Sequence, residues 1–317
     1  MRRSSTTAGL VLLLAAAVAV PVQIDAGAAS TQAVTSTVAT IAFVDVGQGD
    51  AVVMKIGGAV IVSDVGEHRP ENVDATLRRL GANRIDVVIL THPHNDHVEN
   101  LSELVEEFGW TVRSAVLSES AYWQGTKTNR KIIKLLRDRK VKIQFVSRGD
   151  HFGWGGADWR ILNPPAGEFI GGKPQAANAS IAYLLRVNGI EALFTGDVER
   201  KVAKQVASFL EPVTTSPVEI FLATHHGSKE GSIDELLDVI HPISAVLSTG
   251  DNTYEHPSLE AVARLKKIGA TIWCTDVNGT ITATISTRGK LSWRASGRST
   301  PWWSAANKRY VGHCVGT

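Results

Sequence analysis

Beyond its amino-terminal segment, the chain lacks any apolar run long enough to cross a bilayer, and it has little cysteine and little excess charge. A membrane-spanning helix needs about 20 apolar residues, so we expect no spanning segment in the main part of the chain. The two cysteines among 317 residues stand outside any cluster of metal-ligating residues, which disfavours a thiolate metal site. A formal net charge of +2 does not indicate a polyanionic partner by itself.

The amino end has the layout of a secretory signal peptide. Two arginines precede an apolar run over residues 10–20, and small residues follow at positions 26–29. Such segments are removed on export. We therefore predict a signal peptide over residues 1–29, a polar linker over residues 30–39, and a secreted, extracytoplasmic protein with no stable membrane insertion after processing. An uncleaved membrane anchor is the alternative interpretation.

The carboxyl end is distinguished by basic and aromatic residues, which alternate over residues 288–317. Basic groups bind phosphates and indoles stack on bases, so this tail is a candidate nucleic-acid surface; cell-wall binding, or packing of the tail on the domain, is the alternative. In an oxidising compartment Cys274 and Cys314 are expected to form a disulfide that pins the tail to the strand around Trp273. Two unpaired buried thiols are the other interpretation.

Hydrophobic periodicity predicts a mixed α/β protein with a sizeable core, in keeping with 44% hydrophobic residues. Apolar runs bounded by turn residues predict strands over residues 41–46, 51–56, 59–63, 87–90, 159–162, 181–187, 191–194, 218–223, 245–248, 271–274 and 280–285. Helical spacing predicts helices over residues 72–80, 198–209, 233–240 and 259–268. Two sheet-forming halves with helices on their flanks fit a sandwich of two sheets covered by helices.

The most informative stretch of the sequence is Thr91-His92-Pro93-His94-Asn95-Asp96-His97, directly after an apolar segment. Imidazole nitrogens and a carboxylate oxygen suit zinc and other borderline divalent metals. Because side chains alternate along an extended chain, His92 and His94 can turn the same way and hold one ion. Asp96 and His97 follow where the chain enters a helix and can face a second ion. A His-rich surface loop is the alternative interpretation.

Two further apolar runs end in metal-compatible residues. Thr195-Gly196-Asp197 ends a predicted strand in a carboxylate whose two oxygens can each reach one cation, although an isolated Asp is often a helix N-cap. The run His225-His226-Gly227-Ser228 ends another predicted strand, and either His alone could be structural. Three separate strand ends of this kind together predict a binuclear metal site.

These segments resemble the motifs of the metallo-β-lactamase superfamily. The run Phe43-Val44-Asp45-Val46-Gly47-Gln48-Gly49-Asp50-Ala51 and the His-His-Gly-Ser run are similar to the hydrolase domain of the ComEC/Rec2 competence-protein family. The resemblance implies an αββα sandwich over residues 40–287 with a two-metal hydrolytic centre at one edge. Full ComEC-type proteins are multi-spanning channels, so the chain resembles only their hydrolase portion, made as a separate exported protein.

The resemblance also implies a metal-ligand set. It comprises His92, His94, Asp96, His97, Asp197 and His226. The first two residues would hold one ion, the next two the other, and Asp197 would bridge them. Members of the superfamily commonly place a third His on the first ion, but this chain has Asn178 there, so we expect a looser first site and either Zn²⁺ or Mn²⁺ as the two divalent ions.

Further residues are implied in substrate binding and catalysis. His225 would face the substrate, and Asn178 would lend a weak amide oxygen or orient the substrate, unless it is only a turn residue. His256, in Tyr254-Glu255-His256-Pro257, would contact a phosphate or transfer a proton, unless it merely precedes a helix. Asp50 and Asp64 either orient a ligand His or serve in turns.

Together these features predict a secreted metal-dependent hydrolase. We expect a phosphodiesterase or nuclease that uses a water activated by two metals, with Asp96, Asp197, His225 and His256 in catalysis and a phosphodiester such as DNA as substrate. A phosphorylcholine-type esterase and a β-lactamase- or lactonase-like carbonyl hydrolase are the enzymatic alternatives. A metal-binding interaction module without catalysis is the alternative from another class, and the oligomeric state is left open.

Overall fold

The computed structural model describes residues 38–122, 126–167 and 176–304 together with Cys314. The predicted signal peptide lies outside the described residues, as does the predicted linker except for its last two residues. Within the described part of the chain, no helix combines the length and the apolar character needed to cross a membrane.

Strands and helices alternate along the described chain. The strands are β1 (Ala39–Phe43), β2 (Ala51–Ile56), β3 (Ala59–Val65), β4 (Ile85–Leu90), β5 (Val112–Ser118), β6 (Lys142–Val146), β7 (His151–Phe152), β8 (Asp158–Asn163), β9 (Ala182–Val187), β10 (Ile190–Phe194), β11 (Ile220–Leu222), β12 (Ser244–Leu247), β13 (Thr271–Cys274), β14 (Ile281–Ile285) and β15 (Leu291–Ala295). The helices are α1 (Pro70–Arg79), α2 (Asn95–Val98), α3 (Leu101–Glu106), α4 (Glu119–Tyr122), α5 (Lys127–Asp138), α6 (Arg200–Leu210), α7 (Asp234–Ile240), α8 (Leu259–Lys267) and α9 (Thr275–Asn278).

The described strands form two sheets. One has eight strands in the order β15-β14-β1-β2-β3-β4-β5-β6, and the other has seven in the order β13-β12-β11-β10-β9-β8-β7. Each sheet is antiparallel in one part and parallel in the other: β3 to β6 run parallel, as do β10 to β13. Since the carboxyl ends of parallel strands meet at one edge of a sheet, loops from distant parts of the sequence converge there.

Three apolar clusters show how the layers stack. One cluster combines buried side chains of both sheets, such as Ile89 of β4 and Phe194 of β10, and therefore lies between them. A second packs the eight-stranded sheet against α1 to α5, and a third packs the seven-stranded sheet against α6 to α8. The order of layers is helices, sheet, sheet, helices, so the predicted αββα sandwich is confirmed.

Strand β4 illustrates why the sequence forms these layers. Its residues alternate in direction, with Val87 and Ile89 in the cluster between the sheets and Val88 and Leu90 under the helices. A strand covered on both faces needs apolar residues at every position, and burial of each such side chain contributes about 1.5–3 kcal/mol. A continuous apolar run therefore precedes the His-rich segment.

The carboxyl-terminal tail is packed against the domain where it is described. Strand β15, which lies beyond residue 287, pairs with β14, so the eight-stranded sheet continues into the segment assigned to the tail. Trp302 and Trp303 are 1% and 6% exposed, and Trp303 pairs with Ile272 of β13. Indoles buried in this way cannot stack on bases. The predicted disulfide between Cys274 and Cys314 is present.

Candidate metal centre

The His-rich segment follows the carboxyl end of β4 and enters α2. His92 and His94 stand in the extended loop, and His94 is the residue before the first turn of α2, which carries Asp96 and His97. The short helix places these last two side chains on the same side of the loop as the first pair. His92 and His97 are completely buried, whereas His94 is exposed.

Two other strand ends meet this segment. Asp197 follows β10, and His225 and His226 follow β11 in a 3-10 turn. Both histidines have left-handed backbone conformations, with φ angles of 52° and 54°. Such conformations are costly for residues other than glycine and concentrate at functional sites. These backbone conformations direct both imidazoles back toward Asp197.

One group of ligand atoms surrounds the Oδ1 atom of Asp197. It lies 3.3 Å from Nε2 of His97 and 3.5 Å from Nε2 of His226, while Oδ2 of Asp96 lies 3.3 Å from the same His226 nitrogen. An oxygen of Asp50 is also within 4.8 Å of the group formed with His97, Asp197 and His226. Protein ligands 2.0–2.1 Å from a tetrahedral zinc ion stand about 3.3 Å apart, so these separations suit a shared cation.

Unpartnered polar atoms support this interpretation. Nε2 of His97, Nε2 of His226 and Oδ1 of Asp197 are buried and have no hydrogen-bond partner among the described residues. Buried polar atoms are rarely left unpartnered because the cost is about 1–3 kcal/mol each. Three such atoms that face one point therefore fit the ligand set of a divalent metal.

A second group surrounds the other oxygen of Asp197. Its Oδ2 atom lies 3.6 Å from Nε2 of His92 and 3.4 Å from Nε2 of His225, and His92 Nε2 lies 2.9 Å from Nδ1 of His94. Ligand atoms of His92, His94 and Asp197 are all within 4.8 Å of one another. Each carboxylate oxygen of Asp197 thus faces a different set of imidazoles, which is the arrangement expected of a bridging residue.

Hydrogen bonds on the outer side of the imidazoles fix which nitrogen faces inward. Nδ1 of His97 lies 2.8 Å from Oδ2 of Asp64, and Nδ1 of His226 donates to the Ser248 carbonyl at 3.1 Å. Nδ1 of His92 lies 3.1 Å from the Ser180 hydroxyl, which also accepts from the Asp197 backbone at 3.2 Å. Such partners hold the ring orientation and the tautomer that metal binding requires.

The pKa values reflect the close packing of charge. Burial alone would lower the pKa values of His97 and His226, but the carboxylates around them, Asp197 first, raise both well above the ordinary range. Burial would raise the pKa of Asp197, yet the surrounding imidazoles hold it well below its usual range. His92 has a pKa well below the ordinary value because of burial, then His97. The carboxylates that favour protonation of these imidazoles equally favour a divalent cation, which takes the place of the ring protons.

A cleft of about 790 Å³ opens over these residues. His225 and His256 line it together with Glu67, Asp251 and the exposed Tyr254. Burial, followed by the nearby His225 and His226, lowers the pKa of His256 to about 4, so this imidazole is neutral at pH 7. Among the residues that the structure describes, no Lys or Arg lines the cleft.

The side chain of Asn178 contacts Glu199. Its side-chain amide donates to a carboxylate oxygen of Glu199 at 3.0 Å and accepts from the Glu199 backbone at 2.9 Å, next to the start of α6. It does not line the cleft among the described residues. Asn178 thus stands in the 3-10 turn before β9 and braces the start of a helix, which agrees with the turn interpretation, and its assignment to the substrate or the first ion stays a prediction.

The sequence did not single out the hydroxyl residues that support the ligands. Thr91 donates to Asp64 through its backbone at 2.8 Å and through its hydroxyl at 2.7 Å, and Ser180 contacts His92 from 88 positions away. Ser and Thr are frequent everywhere, so their identity carries little signal. Ser180 stands directly before a predicted strand, but that position carries no signal of its contact with the His-rich loop.

A family model described as the metallo-beta-lactamase superfamily matches residues 44–251. ComE operon protein 3 of Bacillus subtilis (strain 168) is 25% identical over 206 residues, which cover 65% of this chain and 25% of that protein. Recombination protein 2 of Haemophilus influenzae is 24% identical over 267 residues, which cover 82% of this chain and 30% of that protein. The chain thus spans about a quarter to a third of the length of these relatives.

A solved structure, the CmlA beta-hydroxylase E377D mutant, superposes with a TM-score of 0.50 at 15% identity, covering 78% of this chain and 54% of that chain. At this identity the likeness concerns the fold alone. The resemblance to the ComEC/Rec2 family is confirmed at low identity by the relatives named above. With the family model matched over most of the described domain, the chain belongs to the metallo-β-lactamase superfamily, whose fold is generally that of metal-dependent hydrolases.

Proposed function

We propose that the protein is a two-metal phosphodiesterase. The observation that carries the proposal is the division of Asp197 between two groups of imidazoles, with Oδ1 facing His97 and His226 and Oδ2 facing His92 and His225. One bridging carboxylate between two nitrogen-rich groups suits a pair of divalent ions, Zn²⁺ or Mn²⁺. When bound, such a pair supplies a nucleophile near neutral pH and stabilises charge on a phosphoryl group.

The residues of the chain have separate tasks in this proposal. His92 and His94 hold the first ion, and Asp96, His97 and His226 hold the second. His225 is left to the substrate, because its side chain is 23% exposed toward the cleft while that of His226 is 1% exposed. His256, neutral at pH 7 and with a buried Nδ1 that has no partner among the described residues, is placed to hydrogen-bond a phosphate oxygen or to move a proton.

The negative charge of the cleft implies that substrate binding requires bound metal ions. Glu67, Asp96, Asp197 and Asp251 line it without any Lys or Arg among the described residues. A phosphodiester carries negative charge, so these carboxylates repel it unless cations offset them. Removal of metal is therefore expected to abolish substrate binding as well as turnover.

The test uses bis-p-nitrophenyl phosphate and a single-stranded oligodeoxynucleotide as substrates. The purified protein with Mn²⁺ or Zn²⁺ is expected to hydrolyse both, and a chelator or His94→Ala is expected to stop the reaction. Nitrocefin tests carbonyl hydrolysis in parallel. The proposal fails if the metal-loaded protein turns over no phosphate ester, and failure to bind two metals per chain favours a non-catalytic interaction module.

A choline-type phosphodiester is a second candidate substrate. The aromatic ring of Tyr254, 67% exposed, and the carboxylates of Glu67 and Asp251 line the same cleft. Aromatic faces and carboxylates attract quaternary ammonium groups. Release of p-nitrophenol from p-nitrophenyl phosphorylcholine faster than from bis-p-nitrophenyl phosphate would favour this substrate class.

We also propose that the protein acts outside the cytoplasm. The amino-terminal sequence supports export, and the disulfide between Cys274 and Cys314 suits an oxidising compartment. Detection of the processed protein in the culture medium or periplasm tests this proposal, and recovery only of an unprocessed cytoplasmic chain contradicts it.

A further inference from the structure

A second groove, of about 370 Å³, runs along the exposed side of α5. Arg130, Lys134 and Arg137 line it, together with Tyr122, Asn129, Ile133 and one acidic residue, Asp138. The three cations are spaced four and three residues apart, so they share one face of the helix. At 1.5 Å per residue they extend over about 10 Å.

The charge of α5 is strongly one-sided. Between Lys127 and Asp138 the helix carries five basic residues and one acidic residue. Lys131 pairs with Glu99 and Lys134 pairs with Asp138, whereas Arg137 forms no ion pair among the residues that the structure describes. The opposite side of the helix is buried by Ile132, Leu135 and Leu136. The basic face is therefore held in a fixed position on the domain.

The same helix begins at the cleft over the metal centre. Thr126, which caps α5, and Thr128 in its first turn both line that cleft. The Thr128 hydroxyl donates to the side-chain oxygen of Asn95 at 3.0 Å, which joins α5 to the helix that carries Asp96 and His97. Asn129 and Arg130, which line the basic groove, follow directly. The groove and the cleft thus share one rigid element.

We propose that the α5 groove binds the phosphates that flank the reacting diester of a single-stranded nucleic acid. This inference rests on the proposed function. The cleft has acidic walls and no Lys or Arg among its described residues, so cations for neighbouring phosphates must lie outside it, and α5 supplies them at its edge. Cations beside the partly exposed apolar side chain of Ile133 suit a chain that alternates phosphates with sugars.

The experiment compares two matched triple variants of the full chain. Arg130→Gln/Lys134→Gln/Arg137→Gln removes the groove cations. Lys204→Gln/Lys267→Gln/Arg113→Gln removes three exposed cations elsewhere. Each metal-loaded protein is assayed on a single-stranded oligodeoxynucleotide, on poly(glycerol phosphate) and on bis-p-nitrophenyl phosphate. Oligonucleotide binding is also measured by fluorescence anisotropy at several salt concentrations.

The groove variant is expected to raise KM for the oligonucleotide by at least roughly tenfold and to lower the slope of log affinity against log salt by about 2, the loss of three single-strand phosphate contacts. Turnover of bis-p-nitrophenyl phosphate should stay within about twofold, since this small diester does not reach the groove. The control variant should change none of these values by a comparable amount.

Three outcomes overturn the inference. In the first, the small diester is hydrolysed but the groove variant keeps the wild-type oligonucleotide KM and salt slope. In the second, groove and control variants lose the same affinity, which indicates only a general effect of net charge. In the third, a poly(glycerol phosphate) chain depends on the groove and the oligonucleotide does not. If the wild type hydrolyses no phosphate ester, the proposed function fails, and the salt slope still tests the groove by itself.

Discussion

Asp64 connects the metal centre to the strand behind it. The pairing of β2 and β3 shifts at this point, so that Ala51 pairs with Val65, Val52 pairs with Ser63, and Asp64 is left without a cross-strand partner. Its φ angle is 53°, a left-handed conformation. A β-bulge of this kind turns one side chain away from the ladder. Here the carboxylate is turned toward Thr91 and His97.

Replacement of Asp64 by Asn is expected to weaken metal binding. The carboxylate accepts from the Thr91 backbone and hydroxyl and faces Nδ1 of His97, and an amide cannot satisfy all three. Asn tolerates the left-handed backbone, so the fold should persist. We expect metal affinity to fall by about 10- to 100-fold, measured by competition with a fluorescent chelator. Asp234→Asn, an exposed carboxylate on α7, is the control, and equal affinities for both variants would contradict this role.

His225 and His226 are expected to respond differently to replacement by Ala. His226 is buried, with Nε2 facing Asp96 and Asp197, so His226→Ala should leave only one tightly bound metal per chain. His225 is partly exposed in the cleft, so His225→Ala should keep two metals and lose turnover by roughly 10²- to 10⁴-fold, the usual range for an acid-base group. Elemental analysis of the two dialysed variants checks this assignment. The opposite pattern would exchange the two roles.

At the residue scale, the sequence indicated the charged and imidazole side chains, including Asp64 behind His97, but not the hydroxyl residues that hold them in place. His92, His97 and Asp197 were predictable because few other functions need imidazoles and carboxylates at successive strand ends. Ser180 and the bulge at Asp64 depend on which strands meet in space, and a single sequence does not encode that pairing locally. The contact of Asn178 with Glu199, 21 positions further on, was likewise not predictable from the sequence.

At the scale of elements, most of the strands buried on both faces were predicted, but β5, an interior strand, was not, and neither were β6 and β15. The run over residues 87–90 lies within β4, and residues 271–274 form β13. Strand β15 was not predicted because its basic and aromatic residues are typical of a tail. It forms since β14 would otherwise be an unpaired sheet edge. The basic face of α5 gains a distinct location only from the packing of the helix beside the cleft.

The loop between β12 and α8 is organised around Asn252. The side-chain amide of this residue donates to the carbonyls of Gly250 at 2.8 Å and His256 at 2.7 Å, and its oxygen accepts from the backbones of Tyr254 and His256. One side chain thus closes this loop between β12 and α8, the cleft loop, which carries His256 into the cleft.

Asn252→Ala is expected to lower turnover without removing metal. Loss of these hydrogen bonds frees the His256 backbone, so the imidazole is no longer held beside His225, and kcat should fall by about tenfold or more. The metal ligands belong to other elements, so two metals per chain should remain. Asn188→Ala, at a turn far from the cleft in sequence, is the control. A loss of metal in Asn252→Ala would show instead that the loop supports the ligands.

At the scale of the whole molecule, the domain consists of two sheets, and the metal ligands follow the carboxyl ends of parallel strands in both. The carboxyl-terminal tail is bonded to β13 of the seven-stranded sheet through a disulfide. Cys274 ends β13, and the next residue, Thr275, accepts a hydrogen bond from the Thr249 backbone at 2.9 Å at the start of the cleft loop. Cys314 is buried in the cluster beneath α6 to α8. The disulfide therefore joins the carboxyl end of the chain to the strand beside the cleft loop.

Reduction of this disulfide is expected to lower stability while leaving the metal centre intact. The bond spans 40 positions, and in the chain-entropy model a crosslink of that span stabilises the folded state by about 3–4 kcal/mol. The metal ligands follow β4, β10 and β11, so the number of bound metals should not change. Urea unfolding of the wild type with and without reductant, and of Cys274→Ala/Cys314→Ala, measures the loss. If reduction shifts the unfolding midpoint of the double variant as much as that of the wild type, the disulfide is not the cause, and if two metals no longer bind, the tail supports the site as well as the fold.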